Sequence, residues 1–542
     1  MSAQKNYQKE ERMINLSKGY LAFVLHAHLP YVHHPSQENM LEERWFFEAI
    51  TETYIPLILA FKRLNKERVN YRVTLSLSPS LLSMLNSPLL QERYLKHLTK
   101  LRELADRELD RTSGQPDFHY VAQMYKRNLD EAHNVFHDIY QGNLIKAFKE
   151  LEEAGGLELI TCTATHGFLP LLHVNNSSVK AQLQVGAETF ARHFEHYPKG
   201  IWLPECGYYY GLEKELSQIG IKYFFVDSHG SLFATPRPKY GTLAPIRTHT
   251  GVVAFARDYE SSKQVWSSTE GYPGDCDYRE YYRDIGYDMD YEYIKDYIHP
   301  DGIRVNTGFK YHRITGKTDW KECYQPYWAM EKAAIHAGNF MFNRIEQVKY
   351  HAGHMSIPPI IISPYDAELF GHWWYEGPIW LELLLKKLHY DQDVVETITP
   401  ADYLDRHEKI QVSTPCPSSW GNAGYNDVWL EESNDWIYRR LHKAARQMEQ
   451  TAAVAKDSTG IKRRILNQMA RELLLAQSSD WAFIMKTGTM VEYAKKRTVS
   501  HLENFNSLVH ALKDGKINTD WLEKIEMEDN IFPDINYEVY CN

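Results

Sequence analysis

The stretch YLAFVLHAHLP, residues 20–30, joins an apolar run to a pair of histidines. Its first six residues are apolar or aromatic at both alternations. That is the pattern of a strand buried on both faces, as a parallel sheet requires. Similar runs return at residues 72–77 (RVTLSL), 157–162 (LELITC), 200–203 (GIWL), 222–226 (KYFFV), 252–256 (VVAFA) and 359–363 (PIIIS). Helical patterns separate them, so they are expected as βα units. Seven such runs suggest a barrel or a large doubly wound sheet.

Two stretches break the alternation. Residues 80–154 carry apolar positions at i, i+3 and i+4 with charges between, and are expected as a helical insertion after the second strand. Beyond a Pro/Ser/Gly/Asn loop at 413–424, four helical patterns form a C-terminal helical domain. The expected divisions are an N-terminal extension at 1–18, a catalytic α/β unit at 19–412 and helices at 413–542. Residues 257–315, rich in Tyr and Asp with weak periodicity, are expected as long loops around a site.

Composition narrows the class. The 542 residues carry 61 Lys and Arg against 71 Asp and Glu, a net charge of −10 that argues against a nucleic-acid binder. No run approaches the ~18 apolar residues of a membrane span. The polar first 19 residues lack the apolar core of a secretory signal, so a cytoplasmic location is expected. Six scattered cysteines without a CxxC pair fit reduced thiols. Aromatics reach 13%, with 37 Tyr and 13 Trp. Aromatic faces stack on ring-shaped ligands, sugars included.

In α/β barrels chemistry gathers where strands end. The first run is followed by His26 and His28, the third by His166, and the fourth by Glu205. The fifth is followed by Asp227 and His229, the sixth by Arg257 and Asp258, and the seventh by Asp366 and Glu368. Glu205 with Asp366 offers the two carboxyl groups that a retaining glycosidase holds about 5–5.5 Å apart. Glu368, two residues on, falls on the same side of an extended chain and competes with Asp366. His26 and His28 share one strand face. With His166, Asp227 or His229 they could hold zinc, or as neutral rings bond sugar hydroxyls. Trp266, Trp373, Trp374, Trp420 and Trp429 are candidates to line a glucan groove. GxSxG, GxxxxGK[ST], HExxH and GxGxxG are absent, which removes the commonest serine hydrolase, P-loop and zincin readings.

Five stretches, in order, resemble the motifs of glycoside hydrolase family 57. They are HAHLP at 26–30, GLELITCTATHGFLP at 156–170, WLPECGY at 202–208, SPYDAELFGHWWYEGP at 363–378, and SSWG at 418–421 with the following Trp429. The first motif is usually written around His-Gln-Pro. Leu29 stands in place of its Gln, as in the branching-enzyme group, which the DAELFGHWW run and the C-terminal helices also resemble. The resemblance implies an incomplete (β/α)7 barrel with a helical insertion and a C-terminal helical domain. It implies that Glu205 is the nucleophile and Asp366 the acid/base. It puts His26, His166, Trp420 and Trp429 at substrate positions, with Trp266 a looser match, and implies an α-glucan substrate and no metal or other cofactor. Residues 228–245 resemble a mobile loop over the active site with Tyr240 at its tip.

The expected reaction is retaining transfer of an α-1,4-glucan chain to a C6 hydroxyl. Hydrolysis, as in an α-amylase, or transfer to a C4 hydroxyl would use the same pair. A zinc-dependent deacetylase or mannosidase and a non-catalytic glucan-binding protein are the rival readings.

Overall fold

The computed structural model describes residues 18–267 and 270–541; residues 1–17 of the expected extension lie outside them. All seven apolar runs are strands. With two shorter ones they form β1 (Gly19–Ala27), β2 (Val73–Leu77), β3 (Leu157–Cys162), β4 (Gly200–Trp202), β5 (Tyr223–Val226), β6 (Ile246–Arg247), β7 (Val253–Ala256), β8 (Ile360–Asp366) and β9 (Val395–Thr397). The sheet runs β6-β7-β5-β4-β3-β2-β1-β8, with β9 also paired to β1. Every pairing is parallel except β6 with β7. The sheet curls until its ends meet at one point, where Asp258 N–H donates to Ile362 O at 2.8 Å. A single bridge between Arg257 and Ile362 replaces a full ladder there. The architecture is therefore an incomplete (β/α)7 barrel.

Strand parity decides what points inward. Tyr20, Ala22 and Val24 of β1 pack inside the barrel with Ile160, Cys162, Trp202, Phe225, Phe255, Ile360 and Ile362. The alternating positions Leu21, Phe23 and Leu25 pack outward under the helices. Side chains repeat with period two, so His26 and Asp366 continue the inward rows of β1 and β8 at their C-terminal ends. The two residues are also direct partners in the β1–β8 register.

The insertion consists of α1 (Pro79–Leu85), α2 (Pro88–Thr112), α3 (Pro116–His133) and α4 (Leu144–Glu153). Ser78 and Ser87 cap the first two helices through side-chain oxygens that accept N–H groups of Leu81 and Leu90, each followed by proline at the first helical position. Part of the expected loop region is instead helical: α5 (Tyr259–Trp266) follows Asp258, whose carboxylate accepts Ser261 N–H. The long helix α6 (Pro326–Ala352) leads back to β8. The C-terminal region holds α7 (Asp435–Val454), α8 (Gly460–Ala476), α9 (Ser479–Thr487), α10 (Val491–Asp514) and α11 (Thr519–Glu528).

Candidate active site

Glu205 sits just past β4 in a left-handed backbone conformation, φ 61° and ψ 23°, and Cys206 follows at φ 52°. Such φ values are costly for residues with a Cβ and persist only where surroundings impose them. The loop at 418–420 imposes them here. Tyr208 and Ser418 exchange backbone hydrogen bonds at 2.9 and 3.2 Å, and Trp420 N–H donates to Glu205 O at 2.9 Å. The indole Nε1–H of Trp420 then donates to Glu205 Oε2 at 2.7 Å.

The other carboxylate oxygen, Oε1, is met from the C-terminal helices. Ser479 Oγ, at the start of α9, lies 3.4 Å from it and 2.8 Å from His166 Nδ1. His166 Nε2 faces His26 Nε2 at 3.0 Å, and His26 Nδ1 faces Ser76 Oγ at 3.1 Å. Burial holds both imidazoles well below their usual pKa, so each carries one ring proton. The chain Ser76–His26–His166–Ser479–Glu205 therefore has two consistent senses. In one, every group donates toward Glu205, and Ser479 O–H supports an ionised carboxylate. His28 stands beside this chain. Its Nδ1 bonds Ser78 Oγ at 2.9 Å and its Nε2 bonds Asp480 at 3.0 Å. Burial alone would raise the Asp480 carboxyl, but His28, through charge and hydrogen bond, leads the groups that pull it down to about 2.

Asp366 faces the same space from β8. Among the described residues no donor reaches its carboxyl, whereas Glu368 accepts Tyr54 O–H at 2.6 Å and His28 N–H at 3.2 Å. Burial, then the charge of Glu368, pushes Asp366 up to about 7. Burial also lifts Glu205 to about 7, with the Trp420 bond opposing and the charges of Asp366 and Asp480 adding. The hydrogen bonds distinguish the two groups: the Trp420 indole donates to Glu205, whereas among the described residues no donor reaches Asp366, which favours the anion on Glu205 and the proton on Asp366.

The aromatic candidates divide. Trp266 is 54% exposed and its ring lies 28° from the plane of Trp420, centroids 6.3 Å apart. Trp373 is 55% exposed and stacks on Tyr281 at 4.5 Å. Both present an open face. Trp429 is buried, stacked on Phe168 at 4.2 Å, with its ring against the place where Gly421 lacks a Cβ. It supports the Trp420 loop from behind and offers no face to solvent. Arg257 stands 6.0 Å from the Trp420 ring and pairs with Asp227 at 2.5 Å. The His28 and His166 rings are stacked 3.8 Å apart and 9° from parallel. Their in-plane lone pairs run side by side and do not converge, a poor fit to a tetrahedral zinc site.

The family model for glycosyl hydrolase family 57 matches residues 22–358, more than half of the chain. The chain belongs to glycosyl hydrolase family 57. A second model, for the C-terminal part of 1,4-α-glucan branching enzymes, matches residues 440–540. A 1,4-α-glucan branching enzyme of Thermococcus kodakarensis is 34% identical, over 95% of this chain and 77% of that protein. The crystal structure of the α-amylase AmyC from Thermotoga maritima is similar at a TM-score of 0.91 and 46% identity, over 97% of this chain and 99% of that one. The family 57 branching enzyme of Pyrococcus horikoshii is similar at 0.87 and 32%, over 97% of both chains.

Two departures from expectation remain in this family 57 site. Tyr240 is not at the carboxylates. Its hydroxyl bonds Ser356 Oγ at 2.7 Å, in the connection leading into β8, and Leu243 O accepts the N–H of Ile360, the first residue of β8, at 2.9 Å. Asp366 ends that strand, about 20 Å further along. The backbone is held there by 411–414, through Thr235 N–H to Thr414 O and Lys239 N–H to Gln411 Oε1. The other departure is an addition. Ser479, Asp480, Ser76, Ser78 and Tyr54 join the site, and sequence reasoning did not single them out. Ser76 and Ser78 follow from register, since His26 pairs with Ser76 in the β1–β2 ladder.

Proposed function

We propose that this chain is a 1,4-α-glucan branching enzyme, a retaining transglycosylase in which Glu205 is the nucleophile and Asp366 the acid/base. The observation that carries the chemistry is the unequal treatment of two part-buried carboxyl groups at one barrel mouth. The Trp420 indole donates to Glu205 and the Ser479 hydroxyl lies beside its other oxygen, which favours its anion, while burial and then the charge of Glu368 favour the proton on Asp366. Glu205 attacks C1 of a glucosyl unit while Asp366 gives its proton to the departing O4. The C1–O4 bond breaks and a glycosyl ester forms. Asp366, now a base, takes the proton of a C6 hydroxyl; that oxygen bonds C1 and Glu205 leaves as carboxylate. An α-1,6 branch results, with no change in the number of reducing ends. His26, His28, His166, Arg257, Trp266, Trp373 and Trp420 are the proposed substrate-side residues, with Trp429 behind Trp420.

The 46% identity to an α-amylase favours one second reading, in which water takes the place of the C6 hydroxyl. Proton NMR of amylose incubated with the protein separates the two. Growth of the α-1,6 anomeric signal without new reducing ends is expected. New reducing ends without α-1,6 signal would move the activity to hydrolysis on the same pair. In either case Glu205→Gln lowers turnover by a factor of about 10³ or more; substantial residual turnover would remove Glu205 from its role.

A further inference from the structure

Away from the barrel mouth, α5 and α6 enclose an open groove of about 670 Å³, a size typical of ligand sites. Tyr259 and Tyr350 stand at it, 61% and 66% exposed. Arg344 lines it although 2% exposed, and its Nε and Nη1 have no hydrogen-bond partner; it meets Asp258 and Glu260 only at 3.8 and 3.7 Å. Two amide oxygens along the groove, Gln264 Oε1 and Gln347 Oε1, are likewise buried without a partner. Gln347 spends its nitrogen on Asp258 Oδ1 at 2.9 Å. Asn343 adds an amide.

Buried polar atoms in folded chains usually have a partner. Three side chains that line this groove, Arg344, Gln264 and Gln347, carry unpartnered atoms just beneath its surface. Arg344 offers N–H groups and the glutamines offer carbonyl oxygens, so the complementary ligand both accepts and donates. A sugar hydroxyl does both. The two tyrosines supply apolar faces for sugar rings. Charges in the groove are of both signs, with Lys263 paired to Glu270, so nothing selects an ion. The groove is also connected to the catalytic mouth by one helix. α5, eight residues long, begins with Tyr259 and ends at Trp266 beside Trp420. That helix is about 12 Å long, so a polymer following it reaches from groove to mouth.

We propose that this groove is a second α-glucan-binding site, which holds a distant stretch of the polymer whose reacting bond lies between Glu205 and Asp366. The ligand class rests on the α-glucan reading above; the groove, its tyrosines and its unpartnered atoms do not.

The test uses the full chain in native gels containing glycogen or amylose, alongside turnover of a short malto-oligosaccharide. In Y259A/Y350A the apparent dissociation constant for glycogen is expected to rise about fivefold or more, with the KM for amylose rising in step and short-substrate turnover within about twofold of wild type. Retardation equal to wild type would overturn the site, and so would a loss shared equally by the short substrate. N343R, a bulky charge at an accessible helix position, is the second variant should the double one fail to fold, and the same loss is expected of it. The catalytic reading fails separately: a wild-type protein that turns over no α-glucan would sink it, whether or not the groove variants change retardation.

Discussion

The Asp366 proton is favoured by burial and, after it, by the neighbour Glu368, which is fixed by Tyr54 O–H and His28 N–H. A carboxylate beside Asp366 makes its ionisation less favourable, and burial does the same more strongly. Replacing Glu368 with Gln keeps an acceptor for Tyr54 but removes the charge. The Asp366 pKa then falls, and the protonated acid needed for the first step is lost at lower pH. The alkaline limb of the pH–kcat/KM profile on a short substrate is expected to move down by about one unit; an unmoved limb would refute the coupling. Trp420→Phe tests the other carboxyl. The ring remains beside Trp266, but the donor to Glu205 Oε2 goes. A hydrogen bond to a charged group contributes about 1.5–3 kcal/mol, so kcat is expected to fall roughly 10- to 100-fold. The acid limb should rise, because the Glu205 anion has lost a partner.

At the scale of elements, the apolar runs made much of the site legible. Those at 20–25 and 359–363 mark the strand ends that carry His26 and Asp366, and parity in the folded sheet turns both inward. Those strands are buried on both faces, so their sequences are unbroken apolar runs that can be recognised without knowing the fold. β6, with two residues, and β9, with three, are too short to show a period. Ser479 and Asp480 were illegible for another reason. A Ser-Ser-Asp triplet ahead of the apolar start of α9 reads as ordinary helix-capping chemistry, and only docking of α9 on the barrel brings it to Glu205 and His28. That docking has a pH signature. The Asp480 carboxyl is held down to about 2, below its ordinary value near 4. The stability it contributes is present above about pH 4 and is lost as pH falls through about 2. Asp480→Asn removes it at every pH, so the variant should be about 2 kcal/mol less stable at pH 7 and closer to wild type at pH 3. Thermal unfolding at the two pH values checks this, and an equal difference at both would count against the Asp480 carboxylate as its source.

Across the whole molecule, a single apolar cluster ties the parts together. It contains Leu25 of β1, Leu98 of α2, Phe340 of α6, Met448 of α7, Leu473 of α8, Trp481 of α9 and Phe505 of α10. The outer face of the barrel, the insertion and the C-terminal helices share one core. Domains that unfold separately are divided by linkers crossed by few contacts. Here α9 crosses with both its apolar side and its catalytic-face residues, since Trp481 is buried and Ser479 and Asp480 reach Glu205 and His28. Calorimetry of the full chain is therefore expected to show one endotherm. Tryptophan fluorescence and loss of activity should share its midpoint, because the probes report on one cooperative unit. A helical region that merely leaned on the barrel would melt apart from it, giving two transitions with activity surviving the first. Activity must instead end with the first loss of α9, because the hydroxyl at Glu205 Oε1 and the carboxylate on His28 both leave with that helix.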